Sequence, residues 1–458
     1  MKKVLCVLLS LILIGVAMVG CSKTETEQNA PANKPAANAE NTQQQPQQNT
    51  ANGQEAAAPD VIKVGIVNGL NADGTLTYWF SEAGIEMALD EEGNFDGKKV
   101  ELIYREPGAD ATVCKQHLSE LKEAGCCVIF CSVDDSMGPA VVQWSNENTF
   151  PVISSTNYSS EMYLNNNCKY YFNCGFNSWG YAKLFANEAV KKRGYKSYAY
   201  IGTDGSACLD SNNHFLLEGQ KINPDFKCVA DYRLSYTDTE FSTILATVLA
   251  MDEVPEMTFQ AGGYTVISFL QQSNLYDFFA KSSAWSDVLT ISTIVSPLAE
   301  AGTYPFGGSY GLSNLAWWQD AFKDHVAKYD AKCLELFGQT YLPHDYELQQ
   351  YWCMKATLLG IHKCLEEGKD IMDNEAMTQA IGSVSWEDCG SQHSFRDFDH
   401  QLTYNLFFID AQDGGAENGH MAVPSDLNAY YSADQWLPTY EEIAEYASAN
   451  GLTFPNNK

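Results

Sequence analysis

Residues 131–136 read CSVDDS: a hydroxyl and two adjacent carboxylates stand directly behind the apolar run CCVIF. A serine hydroxyl can donate to a carboxylate or carbonyl oxygen, and the free N–H groups of a following helix add donors and a favourable dipole. Gly138-Pro139 and the apolar residues after them supply that helix. Ser132 therefore reads as a donor to a small polar ligand, Ser136 as the helix N-cap and Asp134 as an anion on the same loop. The competing reading of both serines is a loop hydroxyl that satisfies local backbone.

Three other loops have the same character. SSTNYSSE follows FPVI and carries Asn157 and Tyr158, TDGS follows SYAYI and carries Asp204, and AGGY follows MTFQ and carries Tyr264. The glycines before Tyr264 permit close backbone approach. The competing readings are a surface loop for Asn157 and Tyr158, and a packing residue at a helix start for Tyr264.

These loops need elements to hold them, and the sequence supplies a rhythm. Apolar runs of four to seven residues alternate with amphipathic stretches of ten to twenty: VIKVGIV then SEAGIEMALDEEG, KKVELIY then ATVCKQHLSELKEAG, CCVIFCS then MGPAVVQWSNEN. Continuous apolar strands separated by helices predict a doubly wound, mostly parallel sheet covered on both faces. The rhythm restarts near Phe176, so the chain holds two such lobes. Open sheets of this kind bind ligands outside the carboxyl ends of their strands, where the four loops fall.

Taken in order, these motifs resemble the type I periplasmic binding proteins of branched-chain amino-acid ABC transporters. The resemblance runs from Ile62 to about Gly415. Its carriers are IKVGIVNGL with GIEMALDEE, KKVELIYRE, CSVDDS with PVISSTNYSSEMY, YIGTDGSA, and DTEFSTILATVLAMDEVPEMTFQAGGY, in which Asp238, Phe241, Ser242, Gly262, Gly263 and Tyr264 fall in the family's order. The resemblance implies two Rossmann-like lobes joined by a three-segment hinge, with crossings near Asn177, Pro305 and Gly382. Lobe 1 is then 60–177 with 305–382, and lobe 2 is 178–304 with 383–458.

The resemblance also implies roles. Ser132 occupies the place of a ligand-binding serine, and Tyr264 that of a cleft aromatic. Tyr158 replaces a family threonine, so an aromatic would narrow the pocket or stack on the solute. Cys208 falls where the family often offers an aromatic. Amino-acid binders present a carboxylate to the ligand ammonium near Thr293, in LTISTIVSP, and this chain has none there. A desolvated ammonium without an anion is costly. Either Asp134, Asp135 or Asp204 takes the role, or the solute is not an α-amino acid.

The N-terminus reads as a leader. Two lysines precede an apolar run from Val4 to Val19 that ends in Gly20-Cys21, so residues 1–21 resemble a bacterial lipoprotein signal with its lipobox, which predicts that the residues before Cys21 are removed and that Cys21 is acylated as the new N-terminus. Residues 22–59 contain no Val, Ile, Leu, Phe, Tyr or Trp and cannot bury a core. As a flexible coil they would hold the domain about 30–40 Å from the lipid surface. The first 59 residues carry four lysines and four glutamates, so the whole net charge of −30 lies beyond them. That acidity excludes a nucleic-acid groove.

Fourteen cysteines, less Cys6 and Cys21, leave twelve without zinc spacing. Cys114 with Cys131 and Cys168 with Cys174 are the pairs to test for disulfides, with buried free thiols as the alternative. No HExxH, GxSxG or GxxxxGK[ST] occurs. His393 and His400 lie in HSFRDFDH, which reads as an exposed turn without metal-ligand spacing; Trp317-Trp318 and Tyr351-Trp352 read as helix packing. The expectation is a monomeric, membrane-anchored binder that passes a small polar solute to an ABC permease, with no catalysis, cofactor or metal. The alternative is a sensor domain for a signalling partner.

Overall fold

The computed structural model describes residues 61–454, apart from 70–75, 77–78, 109, 157, 165–167, 236–237, 261, 263–264, 287–308, 342 and 411–429. The leader, Cys21, the spacer, Asn157, Tyr264 and Thr293 lie outside the described residues. Among those described, no helix is long and apolar enough to cross a membrane.

The first sheet is wholly parallel. Its strands are β1 (Val61–Val67), β2 (Lys99–Arg105), β3 (Val128–Cys131), β4 (Val152–Ser154) and β5 (Tyr171–Asn173), in the order β2-β1-β3-β4-β5. Helices α1 (Trp79–Glu92), α2 (Ala111–Glu123) and α3 (Gly138–Asn148) connect them. β3 is buried at every position, which is why VIFC carries no alternation. Asp110 starts α2 by accepting the N–H groups of Thr112 at 2.6 Å and Val113 at 3.3 Å.

The second sheet follows α4 (Ser178–Ala186). It contains β6 (Ser197–Thr203), β7 (Lys227–Leu234), β8 (Met257–Gln260), β9 (Ser283–Ser286) and β10 (Ser309–Ser313), all parallel, with β13 (Leu406–Asp410) and β14 (Tyr430–Tyr431) added antiparallel. Between its parallel strands run α5 (Ser206–Ile222), α6 (Ser242–Leu249) and α7 (Thr265–Leu275). Gly262, at φ +100°, follows β8; a Cβ there would lie 2.3 Å from Thr203 Oγ1, so the backbone packs against the end of β6 as only glycine allows.

Helices α8 (Lys323–Phe337), α9 (Asp345–Glu366) and α10 (Asn374–Gly382) return to the first sheet, followed by the hairpin of β11 (Ser385–Asp388) and β12 (Ser391–Ser394). α9 is buried on almost every side, including Tyr351 and Trp352, whose packing role was expected. Each such side chain contributes about 1.5–3 kcal/mol of burial. α9 crosses α1 so closely that a Cβ on Gly84 would sit 2.6 Å from the Glu347 carbonyl oxygen.

Two of the three crossings lie further along the chain than the sequence suggested. The first is at Phe176–Ser178, where Tyr158 N–H donates to Phe176 O at 2.6 Å and Ser178 N–H to Tyr158 O at 3.1 Å. The second follows Ser313, because β10 pairs with β9 and β13 and so belongs to the second sheet. There Asp345 accepts Ser313 Oγ at 2.5 Å and Asn314 N at 3.2 Å. The third follows Leu402, because the backbone of His400 and Leu402 bonds Asn173 at the edge of the first sheet. Gln401 Nε2 and Tyr404 Oη both donate to Gly175 O, at 3.1 and 3.2 Å, and bind this crossing to the first.

His393 and His400 are not in an exposed turn. His393 is fully buried, 2.7 Å from Asp388 and stacked on Trp386, and His400 stacks on Phe172. All twelve described cysteines are free. Cys114 does lie beside Cys131, but Cys174 faces Cys353 rather than Cys168, which meets the Tyr158 hydroxyl.

Candidate functional site

The carboxyl ends of β1, β3 and β4 converge on one side chain from α9. Gln350, buried, accepts Asn68 Nδ2 at 3.3 Å and donates through Nε2 to Ser132 Oγ at 3.1 Å and Ser155 Oγ at 3.0 Å. Asn68 and Ser132 are the first residues past β1 and β3, and Ser155 the first past β4. Thr156 ties the last two loops together, donating to Val133 O at 3.1 Å and accepting Val133 N–H at 3.3 Å. Together they form a shelf of hydroxyls and amides at the sheet edge.

The second lobe meets this shelf through α5. Its N-cap, Gly205, has no side chain to satisfy the first N–H groups. Asp135 supplies the missing acceptor from the other lobe: its carboxylate takes the Ala207 N–H at 3.0 Å, and its carbonyl the Ser206 hydroxyl at 3.4 Å. A turn further, Asp210 accepts the Ser160 N–H at 2.8 Å and the Ser160 hydroxyl. His214 lies 3.4 Å from both Ser160 Oγ and Asp210 Oδ1 and stacks on Trp179. Ser160 gives its hydrogen to the carboxylate and not to the imidazole, so this trio joins the lobes and lacks the order of a nucleophile, base and orienting acid.

Burial displaces two neighbours at the start of α9 in opposite directions. His344, stacked on Phe80, caps the helix by accepting the Tyr346 N–H at 3.0 Å, and burial pushes its pKa down to about 3. Asp345 is pushed up to about 6 by burial, opposed by its hydrogen bonds from Ser313 and Asn314. Burial likewise raises the Tyr158 hydroxyl well above its ordinary value.

Of the residues singled out in the sequence, Ser132 stands at the shelf. Asp134 is exposed and caps a short 3-10 turn by accepting the Ser136 N–H at 3.0 Å. Ser136 is therefore not the helix N-cap: α3 starts at Gly138 with Pro139 in its first turn. Tyr158 does not narrow a pocket, because it is fully buried with its hydroxyl on Asp399 O at 2.7 Å. Asp204 is exposed beyond β6, and Cys208 is buried against Thr203. Asn68, Ser155, Gln350 and Ser160 were missed. Asn68 and Ser155 follow apolar runs just as Ser132 does, so the same rule could have found them. Gln350 gave only a faint sign, a glutamine pair inside a helix that buries nearly everything.

Residues 61–416 match the profile of the periplasmic binding proteins. The chain belongs to the type I periplasmic binding protein family. Solved relatives share the fold of this binding protein at low identity. A solute-binding protein from R. palustris in complex with 4-hydroxybenzoate aligns over 82% of this chain and 99% of its own, at 16% identity and a TM-score of 0.67. An ABC transporter substrate-binding protein from Sphaerobacter thermophilus aligns over 82% and 99%, at 16% and 0.69. A leucine-binding protein from Thermotoga maritima aligns over 81% and 99%, at 16% and 0.63. No curated protein matches at a significant level. Membership implies an extracytoplasmic location, and the solved relatives are transport solute-binding proteins.

Proposed function

We propose that this binding protein captures a small polar solute between its lobes outside the cytoplasmic membrane and delivers it, chemically unchanged, to an ABC permease. It does so as a monomer tethered through a lipid on Cys21. The solute class is an amino acid or a related carboxylate or amide. Contacts come from Ser132 and Asp134 on the first lobe, from Asp204, Tyr264 and Thr293 on the second, and from Asn157 at the β4 outlet.

The observation that carries this reading is the hydroxyl shelf at the ends of β1, β3 and β4, set against a helix N-terminus of the other lobe. Relatives of the same fold solved with 4-hydroxybenzoate and benzoate, beside one named for leucine, support a search among aromatic and aliphatic carboxylates. A thermal-shift screen across amino acids, benzoates, amides and small peptides tests it, since any ligand that prefers the folded state raises the midpoint. A true solute also compacts the protein in solution scattering, by contacting both lobes. Turnover of a screened compound, or ligand binding with no compaction, would overturn the reading.

A further inference from the structure

We infer that the C-terminal segment 430–454 is a clasp across the two lobes, which holds them together while the cleft is empty. The inference concerns the ligand-free protein and does not depend on which solute binds.

The segment begins in one lobe and ends in the other. The match to the family profile stops at residue 416, before the segment starts. β14 pairs with β13 and so belongs to the second sheet. A single helical turn, Ala433–Trp436, then carries Trp436 onto the hinge. Its indole Nε1 donates to Tyr404 O on the third crossing at 3.0 Å, and its ring lies on Gly180, just past the first crossing, where a Cβ would come within 2.5 Å of it. Arg396 of the first lobe holds the chain next, donating through Nη1 to Pro438 O at 2.7 Å. Helix α11 (Tyr440–Ala449) follows, and its Ile443 and Ala447 are buried in the core that holds Val67, Val152 and Tyr171 of the first sheet. Beyond it, Thr453 Oγ1 donates to Leu164 O at 3.4 Å.

α11 does not belong to the first lobe alone. Glu442 pairs with Lys183 at 2.8 Å, and the Tyr446 ring meets those of Trp179 and His214 with centroids 5.1 and 4.9 Å apart. Lys183 and Trp179 lie on α4 and His214 on α5, both helices of the second lobe. α11 therefore rests on both lobes beside the place where Ser160 and Asp210 join them. A ten-residue helix has too few internal bonds to persist alone in water, so its order comes from the surfaces it touches. Parting the lobes withdraws one of those surfaces, and that loss resists the parting.

The test loosens each end of the clasp in the full chain. Tyr440→Ala acts on the first lobe, where Tyr440 packs against Phe398 with centroids 5.6 Å apart, and Tyr446→Ala acts on the second. Each should raise the ligand-free radius of gyration by about 1 Å, beyond what a compact chain of unchanged length allows. The double variant should open no further than either single one, because a clasp freed at one end is already free. Two unrelated packing defects would instead add. An unchanged radius in both single variants, whatever their thermal midpoints, would overturn the inference, and so would additive opening.

Hydrogen exchange on the wild-type protein decides the matter even where the variants do not fold. The Ser160 and Ala207 N–H groups both donate across the lobes, so their exchange reports parting. They should exchange no faster than the amides of α11. Rapid exchange at Ser160 and Ala207 while α11 stays protected would show that the lobes part without the segment, and would overturn the clasp.

Discussion

The carboxylate of Asp135, in the loop after β3, caps helix α5 of the other lobe at Ala207. A helix whose own N-cap is glycine has borrowed its cap across the cleft. The contact therefore exists only while the lobes meet.

Asp135→Ala should loosen that meeting. A charge-assisted hydrogen bond to a helix N-terminus is worth on the order of 1–3 kcal/mol. The ligand-free variant should show a larger radius of gyration in solution scattering, with little change in thermal midpoint, because neither sheet loses packing. Asp135→Asn, which keeps an acceptor, should fall between the two. An unchanged radius in both variants would show that the cap does not hold the lobes.

His344 and Asp345 should pull acid stability in opposite directions. The folded pKa of His344 is depressed from 6.5 to about 3, so its contribution is complete above 6.5 and is lost as pH falls toward 3. That of Asp345 is raised from 3.8 to about 6, so its contribution is complete below 3.8 and is lost as pH rises through 6, on the order of 3 kcal/mol in all. Asp345→Asn should lose stability more steeply than wild type between pH 6.5 and 4, and His344→Asn less steeply. Denaturation midpoints across that range check both signs, and parallel curves would contradict them.

Gly84→Ala should be among the more damaging single methyl additions. The new Cβ would meet backbone of α9 at 2.6 Å, and backbone cannot swing aside as a side chain can. Overpacking of this kind costs about 1–3 kcal/mol. Chemical denaturation should record the loss without a change in slope.

Alkylation after unfolding should label all twelve described cysteines, with no pair protected. In the folded protein Cys228 should react first, as the one described thiol that is half-buried rather than buried. Peptide mapping by mass spectrometry reads both outcomes, and a protected Cys114–Cys131 pair would show that export oxidises it.

Much of this was legible in the sequence, and the reason is local. VIKVGIV and CCVIF are strands whose apolar character announces burial on both faces, and the polar residue after such a run marks the sheet edge, so Ser132 could be placed from its neighbours alone. Gln350 lies 218 positions from Ser132, and no local pattern joins them. Tyr158 misled because an aromatic in a polar loop reads the same whether it faces a cleft or the core. The crossings were misplaced for a related reason: β10 looks like any short strand, and only its pairing with β9 and β13 shows which sheet it joins.

Two of the three hinge segments are bonded to each other at Gly175, through Gln401 and Tyr404, while the third is pinned to α9 by Asp345. Three independent ropes would let the lobes twist, slide and splay. Two ropes lashed together at one point and a third moored at another define an axle, and what remains easy is one rotation about it. On the proposed solute-binding function, the state of the cleft would then reduce to a single angle, legible from the outer rims of the lobes by a surface that never touches the solute.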